Sequence, residues 1–335
     1  MSNQAKTTVP RNTLGRTGLE ISKISLGTWG FGNTSPQEAQ IGEDDNLVAV
    51  LQTAFGAGIN CFDSAEVYEN EERLGRLLKQ VDLPDDLVIV TKFGHGKGFS
   101  ADQFRASVEQ SLKDLDVEKI DLMMVHDPRT AADMDIVLGP NGALEGLRQL
   151  QDEGLVGYTG VATGTVTPLK LAVESGEFDV IQFPRLLTVI NRAAETSGLL
   201  DAAQEKQMGI LAAAPFAGNI LATGVRGVEK PLYGYRPAVP EIVEAVRKMQ
   251  ARADELNLTM AQASLQYVVT HPQIHAAVLG VTKPEELQRN VDALSAPVSR
   301  EDLESIADVG TIDSYYIGGP EFVASYPTEP RPESV

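Results

Sequence analysis

GINCFDSAEVYENEERLGRLLKQVDLPDDLVIVTKFG, residues 58–94, reads as strand, helix, strand. Residues 59–64 are a short apolar run closed by polar residues, as in a buried strand. Residues 70–80 carry leucines at helical spacing, and 87–93 return to an apolar run with β-branched residues. The same alternation continues on both sides. Strand-like runs fall at 24–28, 120–126, 157–162, 178–183, 209–214 and 275–281. Helical periods fall at 46–58, 100–115, 143–153, 168–175, 197–207, 240–256 with 260–270, and 284–294.

Helix starts are marked by Ser100 before 101–103 and by Thr167 before Pro168, placing the proline at the first helical position. Eight strands, each with a helix and no Pro/Gly/Ser linker between them, predict an α/β protein: one closed (β/α)8 TIM barrel, a single domain over 1–335. A doubly wound sheet is the rival, but it usually carries GxGxxG after its first strand. Neither residues 27–32 (GTWGFG) nor 94–98 (GHGKG) has that spacing. Residues 14–24 predict two short strands around a turn, an N-terminal β-hairpin plug under a barrel core of 13–295. Residues 31–43, 127–142 and 223–239 predict long loops at the carboxyl ends of strands, and 310–335 a Pro- and Gly-rich C-terminal tail.

The 28 Lys and Arg stand against 47 Asp and Glu, a net charge of −19. That balance argues against nucleic acid or an anionic membrane as partner. No secretory leader and no run near the ~18 apolar residues of a membrane span is present, and Cys61 is the single cysteine. These features predict a cytoplasmic protein that takes a small-molecule substrate; a homo-oligomer is left open. The histidines at 95, 126, 271 and 275 show no metal-ligand spacing.

Chemistry gathers where strands end. Asp63 and Tyr68 close the second strand, Lys92 the third and His126 the fourth. Adjacent barrel strands bring their ends together, so these four side chains converge by topology. A tyrosine is a weak acid or base near neutrality, with an ordinary pKa of about 10, and a nearby lysine can stabilise its phenolate. Asp63 pairs the lysine, and His126 can hold a substrate oxygen. This is a proton-transfer constellation, and it predicts an enzyme.

Several stretches resemble the aldo-keto reductases: LGRTGLEISKISLGTWGFG (14–32), GINCFDSAEVYENEERLGRLL (58–78), VIVTKFG (88–94), EKIDLMMVHDP (118–128), GLRQLQDEGLVGYTGVA (146–162) and AVLGVTKPEELQRNVDAL (277–294). The resemblance implies Tyr68 as general acid/base, Lys92 and Asp63 as the pair tuning it, and His126 as donor to the substrate oxygen. It implies a nicotinamide dinucleotide across the barrel mouth, with contacts from Gly27, Thr28, Thr163, Gln182, Pro215, Phe216, Gly218, Gly280, Thr282, Glu286 and Asn290. Substrate walls are expected from Trp29, Phe31, Phe93, His95, Tyr233 and Tyr235.

The chain departs from the family in places. The family's Ser-Asn pair after the fifth strand is Ala162-Thr163 here, and Ala213 stands near its usual stacking aromatic. Four residues before Asn290, where NADPH users tend to carry Arg, stands Glu286. A carboxylate repels a 2′-phosphate and can accept a bond from a free 2′-hydroxyl, so NAD is favoured over NADP, with Lys283 as the counter-signal. Three stretches, at 126–128, 212–224 and 233–238, resemble bacterial dehydrogenases that oxidise L-fucose or D-threo-aldoses at C1, with pyridoxal 4-dehydrogenase nearby. They imply NAD-dependent oxidation of a cyclic hemiacetal to a lactone. An NADPH-dependent carbonyl reductase and a dinucleotide-binding sensor subunit are the alternatives.

Overall fold

The computed structural model describes residues 8–32 and 42–312. Most of the expected loop 31–43 and nearly all of the 310–335 tail lie outside the described residues.

A hairpin comes first: β1 (Arg11–Thr13) pairs antiparallel with β2 (Glu20–Ser22). Next come β3 (Ile24–Gly27), β4 (Cys61–Asp63), β5 (Val88–Phe93), β6 (Ile120–His126), β7 (Val156–Ala162), β8 (Val180–Pro184) and β9 (Gly209–Ala213). A small hairpin of β10 (Leu232–Tyr233) and β11 (Arg236–Pro237) precedes β12 (Ala276–Gly280). β3 to β9 and β12 are parallel and close in the order β12-β3-β4-β5-β6-β7-β8-β9, the expected barrel.

Strand alternation sorts the two cores. Cys61, Val88, Val90, Leu122, Met124, Val180, Leu211 and Val278 form an inner apolar cluster, whereas Phe62, Ile89, Met123, Val125, Ile181, Phe183 and Ile210 face the helices. Leu14 and Ile21 of the hairpin join the inner cluster, so they plug the barrel at the strands' amino ends. Asn60 fastens the plug: it accepts from Ser22 N at 2.8 Å and donates to Glu20 O at 2.8 Å and Asp86 O at 3.0 Å. The hairpin starts at Arg11, earlier than the sequence pattern indicated.

Other elements differ from expectation. The segment expected as a loop over 127–142 contains a helix, Ala131–Leu138. Thr130 accepts from Asp133 N at 3.1 Å, and Asp133 accepts from Thr130 N at 2.9 Å. This reciprocal cap satisfies the free amides of a short helix that packing alone would hold weakly. Thr130→Ala should lower the unfolding free energy by about 1 kcal/mol, read as a lower urea midpoint at constant m.

The expected Thr167 cap is displaced, since that helix runs Val166–Ser175 with Pro168 in its third position. Proline is tolerated throughout a first turn because those amides have no intrahelical partner. The 223–239 loop carries the β10–β11 hairpin, and a further helix, Arg300–Asp308, packs Leu303, Ile306 and Ala307 into the main core.

Candidate active site

Four inward-facing columns of the barrel end in a polar residue. Above Cys61 comes Asp63; above Val88 and Val90 comes Lys92; above Leu122 and Met124 comes His126; above Val180 comes Gln182. The register staggers them: Gly27 pairs Asp63, Asp63 pairs Val90, Lys92 pairs Met124, His126 pairs Ala162, and Ala162 pairs Gln182. Period-two alternation therefore aims every one of these side chains at the carboxyl-end mouth.

Lys92 Nζ lies 2.7 Å from Asp63 Oδ1 and donates to the Ser64 carbonyl at 2.5 Å. The pair is sealed, with side chains 2% and 4% exposed. Tyr68 follows in the 3-10 turn Glu66–Tyr68, its ring centroid 5.3 Å from Lys92 Nζ and 6.0 Å from the His126 ring, edge-on at 88°. Beneath the turn, Asn70 Nδ2 donates to the Thr28 carbonyl at 2.6 Å, and Thr28 Oγ1 donates to Asp63 O at 3.0 Å. The four catalytic candidates therefore meet.

Electrostatics assigns resting protonation states. Burial pulls His126 down to about 3, and the Lys92 charge adds to this, so the imidazole is neutral. Burial also pushes the Tyr68 phenol up, reinforced by Asp63, Tyr235 and Asp127. Lys92, expected to stabilise the phenolate, holds its ammonium against Asp63 and the Ser64 carbonyl beside the Tyr68 ring, and Tyr68 rests as a neutral phenol. Burial likewise pushes Asp63 up, against the pull of Lys92.

Asp127, on a left-handed backbone (φ 58°), organises the second side of the mouth. His95 Nδ1 lies 2.9 Å from its Oδ2, Arg129 Nε and Nη2 donate to the same oxygen at 2.8 and 2.7 Å, and Thr163 Oγ1 donates to Oδ1 at 3.2 Å. Burial opposes the Asp127 charge, but the His95 and Arg129 contacts outweigh it and keep the carboxyl low. The His95 ring sits 5.6 Å from that of His126. Tyr235 acts on the Tyr68 phenol and Trp29 lies 4.8 Å from Tyr235, so with His95 beside His126 these three border the candidate cluster.

Phe31 and Phe93 do not. Phe31 is fully buried in the outer core, and Phe93 packs edge-on against Phe104 of the helix Ala101–Leu115 at 5.2 Å. Strand alternation explains the second, since Lys92 points in and its neighbour must point out. Tyr233 is buried against the outer core, and Phe216 packs on that core too.

For a dinucleotide, the donor set fits at one end. Gln182 Oε1 is buried with no hydrogen-bond partner and is ready to accept an amide N–H. Thr163 donates its hydroxyl to Asp127, leaving lone pairs to accept. Both suit a carboxamide. Pro215 and Gly218 lie in a loop where Ala214, Ala217, Gly218 and Asn219 all have positive φ, strain of a kind that clusters at ligand sites. Gly280 ends β12 and is exposed, with nothing nearer to an added Cβ than Gly27 O at 3.9 Å. Thr282 is half-buried just beyond. Glu286 occupies the first turn of the helix Pro284–Asp292, 4.0 Å from Lys283, and Asn290 is one turn along. Among the described residues no group of His, Cys, Asp and Glu is placed to hold a metal. Nor is any described helix long and apolar enough to cross a membrane.

Sequence reasoning missed Asp127 as a hub, Arg129 beside it, and Arg185 past the end of β8. The run His126-Asp-Pro-Arg129 holds a signal for the first two: an acid and a base directly following a catalytic candidate.

A barrel with an Asp-Tyr-Lys-His cluster at its mouth defines a class of oxidoreductase, and the family comparison agrees. The Aldo/keto reductase family model matches residues 23–310, and the chain belongs to that family. The family uses nicotinamide cofactors. Relatives include L-galactose dehydrogenase of Arabidopsis thaliana, 28% identical over 91% of this chain and 95% of that enzyme. Pyridoxal 4-dehydrogenase of Microbacterium luteolum is 25% identical over 84% and 92%. Glycerol dehydrogenase of Gluconobacter oxydans superposes with a TM-score of 0.70 over 91% of this chain and 95% of that one, at 22% identity, a likeness of fold.

Proposed function

We propose that this protein oxidises a cyclic hemiacetal, an aldose at C1 or a pyridoxal-like ring, to the lactone, with NAD as hydride acceptor. The observation carrying this reading is the sealed Lys92–Asp63 pair beside Tyr68 and a neutral His126. A hemiacetal bears its hydroxyl and its hydride on one carbon, so a single oxygen must be held and deprotonated. His126 holds that oxygen, and Tyr68, once it has given up its own proton to solvent, takes the hydroxyl proton as a phenolate. When bound, the oxidised dinucleotide supplies the hydride acceptor and a positive charge. Gln182 and Thr163 orient the carboxamide. Trp29, His95 and Tyr235 enclose the ring. Two relatives are named as dehydrogenases of L-galactose and pyridoxal, compounds able to form such rings, which supports the substrate class.

The test is absorbance at 340 nm with L-fucose, D-arabinose, D-galactose, L-galactose and pyridoxal, each with NAD and with NADP. NADH growth with any of them supports the reading. Silence throughout, with NADPH consumed by simple aldehydes, would replace it with a carbonyl reductase. Glu286→Arg should move the NAD/NADP ratio of kcat/KM toward NADP by about 10-fold, the scale of one charged hydrogen bond. An unchanged ratio would reduce Glu286 to a first-turn acid that favours the helix dipole.

A further inference from the structure

Past the end of β8 stands a buried cation with no counter-ion among the described residues. Arg185 follows Pro184, its amide donating to the Ala213 carbonyl at 3.0 Å, and its φ of 59° is left-handed. The residue is only 9% exposed, and its Nε is buried without a hydrogen-bond partner. Among the described residues no salt bridge reaches it, and the groups acting on its charge are the phenols of Tyr233 and Tyr235. A guanidinium does not give up its proton in a protein, so burial without a counter-ion is unfavourable unless something anionic arrives.

Its position says where. Gly234 lies over it, and a Cβ there would come within 3.2 Å of Arg185 Cζ, so the glycine lets the 233–235 turn settle on the guanidinium. Tyr235 of that turn packs against Trp29, and its phenol acts on Tyr68. Arg185 therefore borders the same mouth as the catalytic cluster.

We propose that Arg185 is an anion-binding residue of this site, its planar fork receiving carboxylate or phosphate oxygens of a bound ligand beneath the 233–235 turn. The anion is carried either by the substrate, making it an acidic sugar, or by the diphosphate of the dinucleotide. The inference rests on the dinucleotide-dependent oxidation proposed above.

Arg185→Met keeps the stem and removes the charge; Arg185→Lys restores a charge without the fork. Two quantities separate the sources: the ratio of kcat/KM for D-galacturonate to that for D-galactose, and the Kd for NAD from quenching of Trp29, the only tryptophan. If the substrate bears the anion, the ratio falls roughly 10- to 100-fold in Arg185→Met and partly returns in Arg185→Lys. If the dinucleotide bears it, the NAD Kd rises by a similar factor while the ratio holds. Both quantities within about 2-fold of the parent, in a variant with native circular dichroism, would overturn the proposal. Should Arg185→Met not fold, titration of the unmodified protein with inorganic phosphate decides. Phosphate competing with NAD or with galacturonate supports the site, and no competition overturns it. Should no aldose be oxidised, the hemiacetal reading fails by itself, while the NAD and phosphate titrations still judge Arg185.

Discussion

Tyr68→Phe will lower turnover by about 10²- to 10⁴-fold, the range of a general acid–base group, while the Kd for NAD stays within a factor of two. The phenol oxygen is the one group of the cluster able to exchange a proton with a substrate oxygen at this place. Lys92 Nζ is engaged by Asp63 and Ser64, Asp63 is sealed behind it, and His126 is neutral. The phenyl ring preserves the edge-on contact with His126, so the loss reports chemistry rather than collapse. The pH profile carries the same signature. His126, pulled down to about 3, does not titrate between pH 5 and 9, whereas Tyr68 is pushed up and must lose its proton to accept one. Oxidation in the parent should thus climb with pH through the alkaline range with no acid limb from His126, and Tyr68→Phe should lose that climb. Full turnover in Tyr68→Phe would remove Tyr68 from the mechanism.

Lys92→Met will do two things at once. It strips the ammonium from a carboxylate that is 4% exposed, and removing one partner of such a buried pair typically costs about 3–5 kcal/mol. Asp63 then has a folded pKa raised further above its unfolded value of about 3.9, because burial already pushes it up and Lys92 is what opposes this. The folded state binds the extra proton, so stability is lost as pH rises above the unfolded pKa. The drop in Tm should accordingly be larger at pH 8 than at pH 5. The double variant Asp63→Asn, Lys92→Met should regain most of the Tm while remaining inactive, since no buried charge is left unpaired. A single variant with the same loss of Tm at both pH values would mean that Asp63 is not the group left exposed to that penalty.

Much of this was legible along the chain because the features are local. Strand ends are marked by polar residues after apolar runs, as at Asp63, Lys92 and His126, and topology then obliges neighbours to meet. What failed was of another kind. The aromatic character of Phe31 and Phe93 was visible, but which way each side chain faces depends on the pleat and on what covers it. The helix Ala131–Leu138 is short and its cap pattern, Thr130 with Asp133, was readable yet passed over among loop residues.

The sequence by itself determined the eightfold strand–helix alternation, the closed barrel, the four residues that meet as the candidate catalytic cluster and the family, because hydrophobic period and strand-end chemistry are written in consecutive residues. Only the tertiary structure decided that Tyr68 rests as a neutral phenol, that Asp127 gathers His95, Arg129 and Thr163, and that Arg185 is buried with no counter-ion among the described residues. Those outcomes depend on burial and on charges brought together from different strands, from Asp63 to Tyr235, and desolvation by distant segments has no local signature.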